Sequence, residues 1–197
     1  MISVILPTHN DELVLAHALA ALVPAAADGM VREVIVVDCG STDGTIAVAD
    51  AAGCRILDGT GVRGTDLAAG AAKARSDWLL FLSPEVMLEP GWQREAREFI
   101  DRLAMAGGGN DRAAAFRHAN AGFGWRARFS EVKASVRSRL LASPSLKEGL
   151  LVPAALYRAV GGHRPKLGNI EGDLARRIGR GRLSFLRARA VSRGVVA

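Results

Sequence analysis

The chain has 197 residues, of which 49% are hydrophobic and 23% charged, and its formal net charge is +6. This composition is typical of a globular chain, not a disordered one, and the length suits one domain. Apolar runs such as 34–37 and 78–82 are far shorter than the roughly 18 residues that span a bilayer, and the first residues do not resemble a signal peptide. We therefore expect a single domain over residues 1–197, located in the cytoplasm.

Charge is distributed unevenly along the chain. Residues 1–101 hold 7 Lys and Arg against 15 Asp and Glu, a balance of −8, whereas residues 102–197 hold 19 against 5, a balance of +14. A basic half either attracts phosphates, nucleic acid or an anionic membrane, or is a solubilising surface. No nucleic-acid-binding motif with interleaved aromatic residues is found, so nucleic acid is not an expected partner.

The first half alternates strand and helix patterns. Apolar and β-branched runs predict strands at 2–6, 33–37, 54–57 and 78–82. Helical spacing predicts helices at 13–22 and 65–75, and another that follows the turn at 40–44 and ends near residue 52. We expect Ser41 or Thr42 to cap the second of these helices. Such alternation implies a mostly parallel sheet covered on both faces, with ligands at the carboxyl ends of the strands.

The second half has a different pattern, and the glycine-rich segment 107–110 separates it from the first. His163, after the Gly161-Gly162 turn, can contact a phosphate or the acceptor, but a lone His is more often a surface or capping residue, which is what we expect here. Cys39 and Cys54 are expected to be reduced, although neighbouring strands can bring them together. The predicted elements are strands at 113–116, 123–127, 149–152 and 183–186, and helices at 130–142, 154–160 and 172–178.

Three segments carry the most information about function: residues 2–12 (ISVILPTHNDE), 34–45 (VIVVDCGSTDGT) and 77–85 (DWLLFLSPE). In this order, and followed by residues 155–162 (ALYRAVGG), they resemble the family-2 glycosyltransferases of the GT-A fold. The resemblance implies an α/β fold, namely a three-layer α/β/α, Rossmann-like domain with a mostly parallel mixed sheet. It also implies transfer of a sugar, with inversion, from a nucleotide-diphosphate sugar to an acceptor that the sequence does not identify.

The resemblance also divides the chain into a nucleotide-binding half, residues 1–106, and an acceptor-side half, residues 107–197. Within the second half, residues 125–141 combine an apolar stripe at three- and four-residue spacing with Arg and Lys off that stripe. This pattern predicts an amphipathic basic helix. Such a helix usually packs on the core; the alternative is peripheral contact with an anionic membrane, near a lipid-linked acceptor.

For the donor, the resemblance implies that Asp38 contacts the base or ribose, with Pro7, Thr8 and Asn10 forming the wall of the site. A carboxylate directly after a buried strand can accept a hydrogen bond from a base N–H or a ribose hydroxyl. Plainer roles are open: Asp38 can begin a turn and Asn10 can cap a helix. Arg63 is either a bidentate phosphate ligand, as the resemblance implies, or a solvated loop residue.

Family members hold a divalent ion, Mg²⁺ or Mn²⁺, with an acidic motif after the fourth strand. The corresponding segment here is Ser83-Pro84-Glu85, so the resemblance implies that Glu85 is the metal ligand. The family's catalytic base aligns with Glu171, and a one-residue shift favours Asp173 instead. Either carboxylate also suits the first turn of a helix.

The chain departs from the family pattern at Ser83, where the acidic motif has a carboxylate, at the Ile170-Glu171 pair, where members have Glu-Asp, and at Ala68, where Asn is usual. These departures keep a second interpretation open. In that interpretation the chain is a catalytically impaired relative that binds a nucleotide sugar as a sensor or partner subunit.

Overall fold

The computed structural model of the chain describes residues 1–107, 111–120, 148–165 and 170–192. The strand predicted at 123–127, the helix predicted at 130–142 and the amphipathic segment 125–141 lie outside the described residues. In the described ranges, no helix is both long enough and apolar enough to cross a bilayer.

Strands and helices alternate through the first half, as the sequence predicts. The strands in the described ranges are β1 (Ile2–Thr8), β2 (Val31–Asp38), β3 (Arg55–Asp58), β4 (Trp78–Phe81), β5 (Val86–Leu88), β6 (Ala113–Asn120), β7 (Leu150–Pro153) and β8 (Leu183–Ser192). The helices there are α1 (Glu12–Ala27), α2 (Thr45–Ala51), α3 (Arg63–Lys73), α4 (Trp92–Met105), α5 (Ala154–Ala159) and α6 (Ile170–Ile178), with a 3₁₀ turn at Arg180–Arg182.

The strands form one sheet in the order β3-β2-β1-β4-β7-β6-β8-β5. The first four are parallel to one another, as are β6 and β8, whereas β7 and β5 run antiparallel to their neighbours. The mostly parallel mixed sheet is therefore confirmed. From β1 the chain builds β2 and β3 on one side and then crosses to place β4 on the other. Strand order thus reverses between β1 and β4, where α/β sheets bind their ligands.

Helices cover both faces of the sheet and bury two apolar clusters. One cluster joins α1, α2 and α4 to one face of the sheet, and the other joins α3, α5 and α6 to the opposite face. Gly70 allows α3 to lie close against the strands, because a Cβ at this position would be 2.7 Å from Ile5 Cγ2. This three-layer arrangement is the one predicted from the sequence.

The structure corrects the predicted cap of α2 and places the two cysteines apart. Helix α2 begins at Thr45 after Gly44, without a side-chain cap, because Ser41 and Thr42 are used in loop contacts described below.

Cys39 and Cys54 are free thiols. Cys54 precedes Arg55, which pairs with Ile35 near the middle of β2, whereas Cys39 follows the far end of that strand. The two cysteines therefore do not meet across the sheet.

Two strands of the second half, β6 and β8, extend beyond their predicted bounds, and two elements near the end of the first half had no prediction. Strand β8 continues to Ser192, six residues past the predicted end, because its later part pairs with β5 as well as β6. Strand β5 and helix α4 were not predicted. Glu95 of α4 accepts hydrogen bonds from the backbone N–H groups of Arg187 (2.6 Å) and Ala188 (2.7 Å). These bonds satisfy β8 where its register with β6 shifts.

His163 is buried, with 5% of its surface exposed, so its predicted surface position was wrong. Its ring packs against Phe81 at a centroid distance of 4.7 Å. The Tyr157 hydroxyl accepts a bond from the His163 backbone N–H (2.9 Å) and lies 3.0 Å from Nδ1. The hydroxyl hydrogen is therefore available for Nδ1, and a neutral ring fits this geometry. Burial, with a contribution from nearby Arg177 and Arg63, lowers the pKa of His163 to about 4.

We predict that this ring makes folding stability depend on pH. The pKa of His163 falls from 6.5 to about 4 on folding, so the unfolded chain binds the proton more readily between these values. The free energy of unfolding is therefore highest above pH 6.5, where His163 is neutral in both states. It decreases as the pH falls towards 4, by at most about 1.4 kcal/mol per pH unit. Urea denaturation at several pH values measures this slope.

The matched variant is His163→Asn, which keeps an acceptor for Tyr157 and removes the titrating ring. Its free energy of unfolding should depend less steeply on pH than that of the wild type over the same window. Equal slopes in the two proteins would contradict the prediction.

Candidate functional site

A cleft of about 470 Å³ lies over the carboxyl ends of the four parallel strands, where strand order reverses. This volume is within the range of small-molecule sites. A larger groove of about 720 Å³ between α4 and β8 contains none of the candidate residues. The described residues that line the cleft are Pro7, Thr8, His9, Asp11, Cys39, Gly61, Arg63, Asp66, Ser83, Pro84 and Glu85.

Asp38 lies behind the cleft wall and is not among the lining residues. Its carboxylate accepts hydrogen bonds from the Thr8 hydroxyl (3.1 Å), the backbone N–H groups of Gly40 (3.0 Å) and Ser41 (2.9 Å), and the Ser41 hydroxyl. Burial alone would raise the pKa of Asp38, but these bonds outweigh it and lower the pKa. Asp38 thereby holds β1 and the start of the β2–α2 loop together, and places Cys39 at the wall.

Asn10 also lies outside the lining, and it ties two loops together. It adopts a left-handed conformation with φ of 55°. Its side-chain oxygen accepts a bond from the Thr42 backbone N–H (2.8 Å), and its own N–H donates to the Ser41 hydroxyl (2.9 Å). These bonds hold the β1–α1 loop against the β2–α2 loop, which explains why Ser41 and Thr42 do not cap α2.

Two carboxylates face the cleft near the end of β4. Glu85, the predicted metal ligand, lines it, and so does Asp11, whose Oδ2 accepts a bond from the His9 N–H (2.9 Å). Burial raises the pKa of Asp11, and the charges of Glu85 and Asp43 add to this effect. In the described part of the chain, no group of three or more His, Cys, Asp or Glu side chains is placed to hold a metal. A donor set of two carboxylates suits Mg²⁺ or Mn²⁺ when substrate phosphates complete the coordination.

Arg63, the first residue of α3, brings a positive charge into the cleft. Its Nε lies 3.7 Å from Glu171 Oε1, and the side chains of Arg63 and Glu171 are 52% and 19% exposed. Burial raises the pKa of Glu171, and the charge of Arg63 opposes this rise. The start of α3 packs tightly on the segment after α5, because a Cβ at Gly64 would be 2.0 Å from the Arg164 carbonyl oxygen.

The second candidate base, Asp173, takes part in a different contact. Its carboxylate pairs with Arg177 one helical turn later, with an N–O distance of 2.9 Å. Arg177 in turn donates to the Gly162 carbonyl (2.7 Å). This network holds α6 to the turn after α5. Of the two carboxylates, Glu171 is the one paired with a residue of the cleft.

Several lining residues were not predicted as site residues, among them Asp11, Cys39 and Asp66. Asp11 follows β1, so the strand-end argument applied to Asp38 could have found it. Asp66 is 1% exposed, and its carboxylate accepts bonds from the Thr60 N–H (2.7 Å), the Thr60 hydroxyl (2.8 Å) and the Cys39 thiol (3.3 Å). No local pattern signals these contacts, which join α3 to two separate loops.

Several solved structures share this fold. Glucosyl-3-phosphoglycerate synthase from Mycobacterium tuberculosis in complex with Mn²⁺, UDP and glucosyl-3-phosphoglycerate has a TM-score of 0.67 and 22% identity, covering 98% of this chain and 72% of that chain. The same enzyme with Mn²⁺ and UDP-glucose gives 0.69 and 21%, covering 98% and 71%. TarS 1–349 from S. aureus gives 0.70 and 18%, covering 100% and 58%. These similarities confirm the GT-A fold.

At the level of sequence, no curated protein matches the chain. Residues 3–121 match the profile of glycosyl transferase family 2. This match covers more than half of the chain and includes nearly all of the three motif segments. The chain therefore belongs to glycosyl transferase family 2.

Proposed function

We propose that this chain transfers a sugar from a nucleotide-diphosphate sugar to an acceptor hydroxyl, with inversion at the anomeric carbon. Family membership supports glycosyl transfer, and the cleft supplies the observation that carries the proposal. At the point of strand reversal it brings together a cation for phosphates, Arg63, and a carboxylate for a metal, Glu85. A second carboxylate, Glu171, is paired with Arg63.

The donor is proposed to lie along the cleft, with its nucleoside against Pro7, Thr8 and Cys39. In this arrangement Asp38 and Asn10 support the nucleoside site by holding its loops. The solved relatives that contain UDP and Mn²⁺ support a uridine donor and a divalent ion. Residues 1–106 then bind the donor, and residues 107–197 contribute Glu171 and the acceptor side. The acceptor itself, and any membrane contact through residues 125–141, are not part of the proposal.

A divalent ion also follows from the charge of the cleft. Asp11 and Glu85 would repel a diphosphate, and Arg63 is the one Lys or Arg among the described lining residues. We propose that Glu85, with Asp11, holds Mg²⁺ or Mn²⁺. When bound, the ion offsets negative charge on the diphosphate.

The transfer itself needs a base and a stabilised leaving group. Glu171 accepts the proton of the acceptor hydroxyl, and that oxygen forms a bond to the anomeric carbon of the sugar. The bond from this carbon to the diphosphate oxygen breaks, and its electron pair leaves with the nucleoside diphosphate. Arg63 stabilises the charge that develops there. The burial of Glu171 favours this role, because a raised pKa makes a stronger base.

A binding protein without turnover is the second candidate. It is favoured by Ser83, which lines the cleft where family members place a further carboxylate, and by the engagement of Glu171 with Arg63. The two candidates share the donor site and differ only in the chemical step.

We predict that UDP or GDP, with Mg²⁺ or Mn²⁺, raises the melting temperature. At a ligand concentration of 100 times Kd, the stabilisation is about 2.7 kcal/mol, which corresponds to roughly 5–10 °C for a domain of this size. Glu85→Gln should lose the metal-dependent part of the shift. Glu89→Gln is the matched control, because Glu89 pairs with Arg189 and does not line the cleft. The absence of any shift in the wild type would refute the donor site.

We further predict that Glu171→Gln lowers donor turnover by about 10²–10⁴-fold, the usual contribution of a general base, while UDP binding is retained. Asp173→Asn should keep most of the turnover and lose some stability, since it breaks the pair with Arg177.

Wild-type activity should fall as the pH drops through the raised pKa of Glu171, because only the carboxylate accepts a proton. Binding without turnover, over a broad panel of donors and acceptors, would instead support the second candidate.

A further inference from the structure

Arg63 bridges the two halves of the chain at the cleft. It belongs to the donor half, lines the cleft, and pairs across the boundary with Glu171 of the acceptor half. The contact between Gly64 and Arg164 anchors the backbone beneath this pair. The two charges therefore meet at a fixed junction, whereas the half-exposed guanidinium can still turn towards the cleft.

One guanidinium serves two anions poorly at the same time. A diphosphate carries more charge than a carboxylate and binds Arg in a bidentate manner. The pair with Glu171 has an N–O distance of 3.7 Å, which is too long for a strong hydrogen bond. Phosphates in the cleft would therefore displace Glu171 from Arg63.

We propose that this competition couples donor binding to the acceptor-side base, an inference that rests on the proposed function. Before the donor binds, Arg63 holds Glu171. The donor's phosphates then draw Arg63 away and free Glu171 for the acceptor's proton. Loss of this cation also removes the effect that opposes the raised pKa of Glu171, so the base becomes stronger only once the donor is in place.

The coupling has a consequence for binding alone, which is measurable without an acceptor. Because UDP must displace Glu171 from Arg63, removing the charge of Glu171 should tighten UDP binding. The N–O distance is long and Arg63 is half-exposed, so the pair is weak, and the expected gain for Glu171→Gln is about two- to fivefold in Kd. The gain should disappear in Arg63→Gln, where there is no guanidinium to share.

The test is a double-mutant cycle of UDP and GDP affinities, measured by calorimetry with Mg²⁺, for the wild type, Glu171→Gln, Arg63→Gln and the double variant. Arg63→Lys retains a positive charge, so Glu171→Gln combined with Arg63→Lys should show part of the gain that Arg63→Gln abolishes. Glu89→Gln makes the same chemical change in another Arg–Glu pair, which does not line the cleft, and should leave both affinities unaltered.

The outcomes separate the two proposals. If neither nucleotide binds the wild type, the proposed function fails, and the coupling fails with it. If a nucleotide binds but Glu171→Gln changes nothing, the coupling is wrong and the donor site stands. An equal gain with and without Arg63 would also overturn the coupling, because it would reflect simple repulsion between Glu171 and the phosphates.

Discussion

The structure depends on the alignment of four parallel strands whose carboxyl ends meet at one edge, and on the carboxylates that hold the loops there. Parallel pairing puts Thr8 beside Asp38, and Asp38 beside Asp58. The first residue of each following loop still bonds to the sheet, through the Cys39 N–H to the Thr8 carbonyl (2.9 Å) and the Gly59 N–H to the Asp38 carbonyl (2.7 Å). Further along the loops, side-chain oxygens accept the backbone N–H groups. Asp38 accepts those of Gly40 and Ser41, and Asp66 accepts that of Thr60. The cleft is the space left between loops that are held in this way.

The same principle explains much of the acidic character of the first half. Several of its carboxylates accept backbone N–H groups from distant segments, which a solvated surface charge would not do. Glu12 and Asp43 tie the start of α1 to the loop before α2, and Glu33 accepts the N–H of Arg75 (2.7 Å). A charge-assisted bond of this kind is stronger than a neutral one. The charge asymmetry is therefore partly structural, beyond any role in attracting a partner.

The fold was predictable because its signals are local. Apolar runs such as 34–37 and the turn residues after them predict strands and crossovers, and the ordered motifs predict the GT-A arrangement. The prediction failed where contacts join distant residues. Ser41 or Thr42 is the expected cap of α2, but both bond to Asn10, which lies 31 and 32 residues earlier in the chain. The burial of His163 likewise depends on Phe81 and Tyr157, which are distant or separated by a turn.

The candidate site shows the same division. Strand ends bring Thr8 and Glu85 to one cleft, as expected from a parallel sheet, and the start of α3 adds Arg63. The side-chain direction of Asp38 was not predictable, since four donors from its own loop and from β1 compete for its carboxylate. The choice between Glu171 and Asp173 likewise depended on Arg63 and Arg177, which only the folded chain brings into reach.

The central claim, that a nucleoside diphosphate occupies this cleft, is tested most directly by the two cysteines. Cys39 lines the cleft, whereas Cys54 lies in an apolar groove between α1 and α2. Alkylation with N-ethylmaleimide, followed by peptide mass spectrometry, measures both rates in one sample. If the account is correct, UDP with Mg²⁺ slows the reaction of Cys39 and leaves that of Cys54 unchanged. Equal rates at Cys39 with and without nucleotide, or equal slowing at both cysteines, would contradict it.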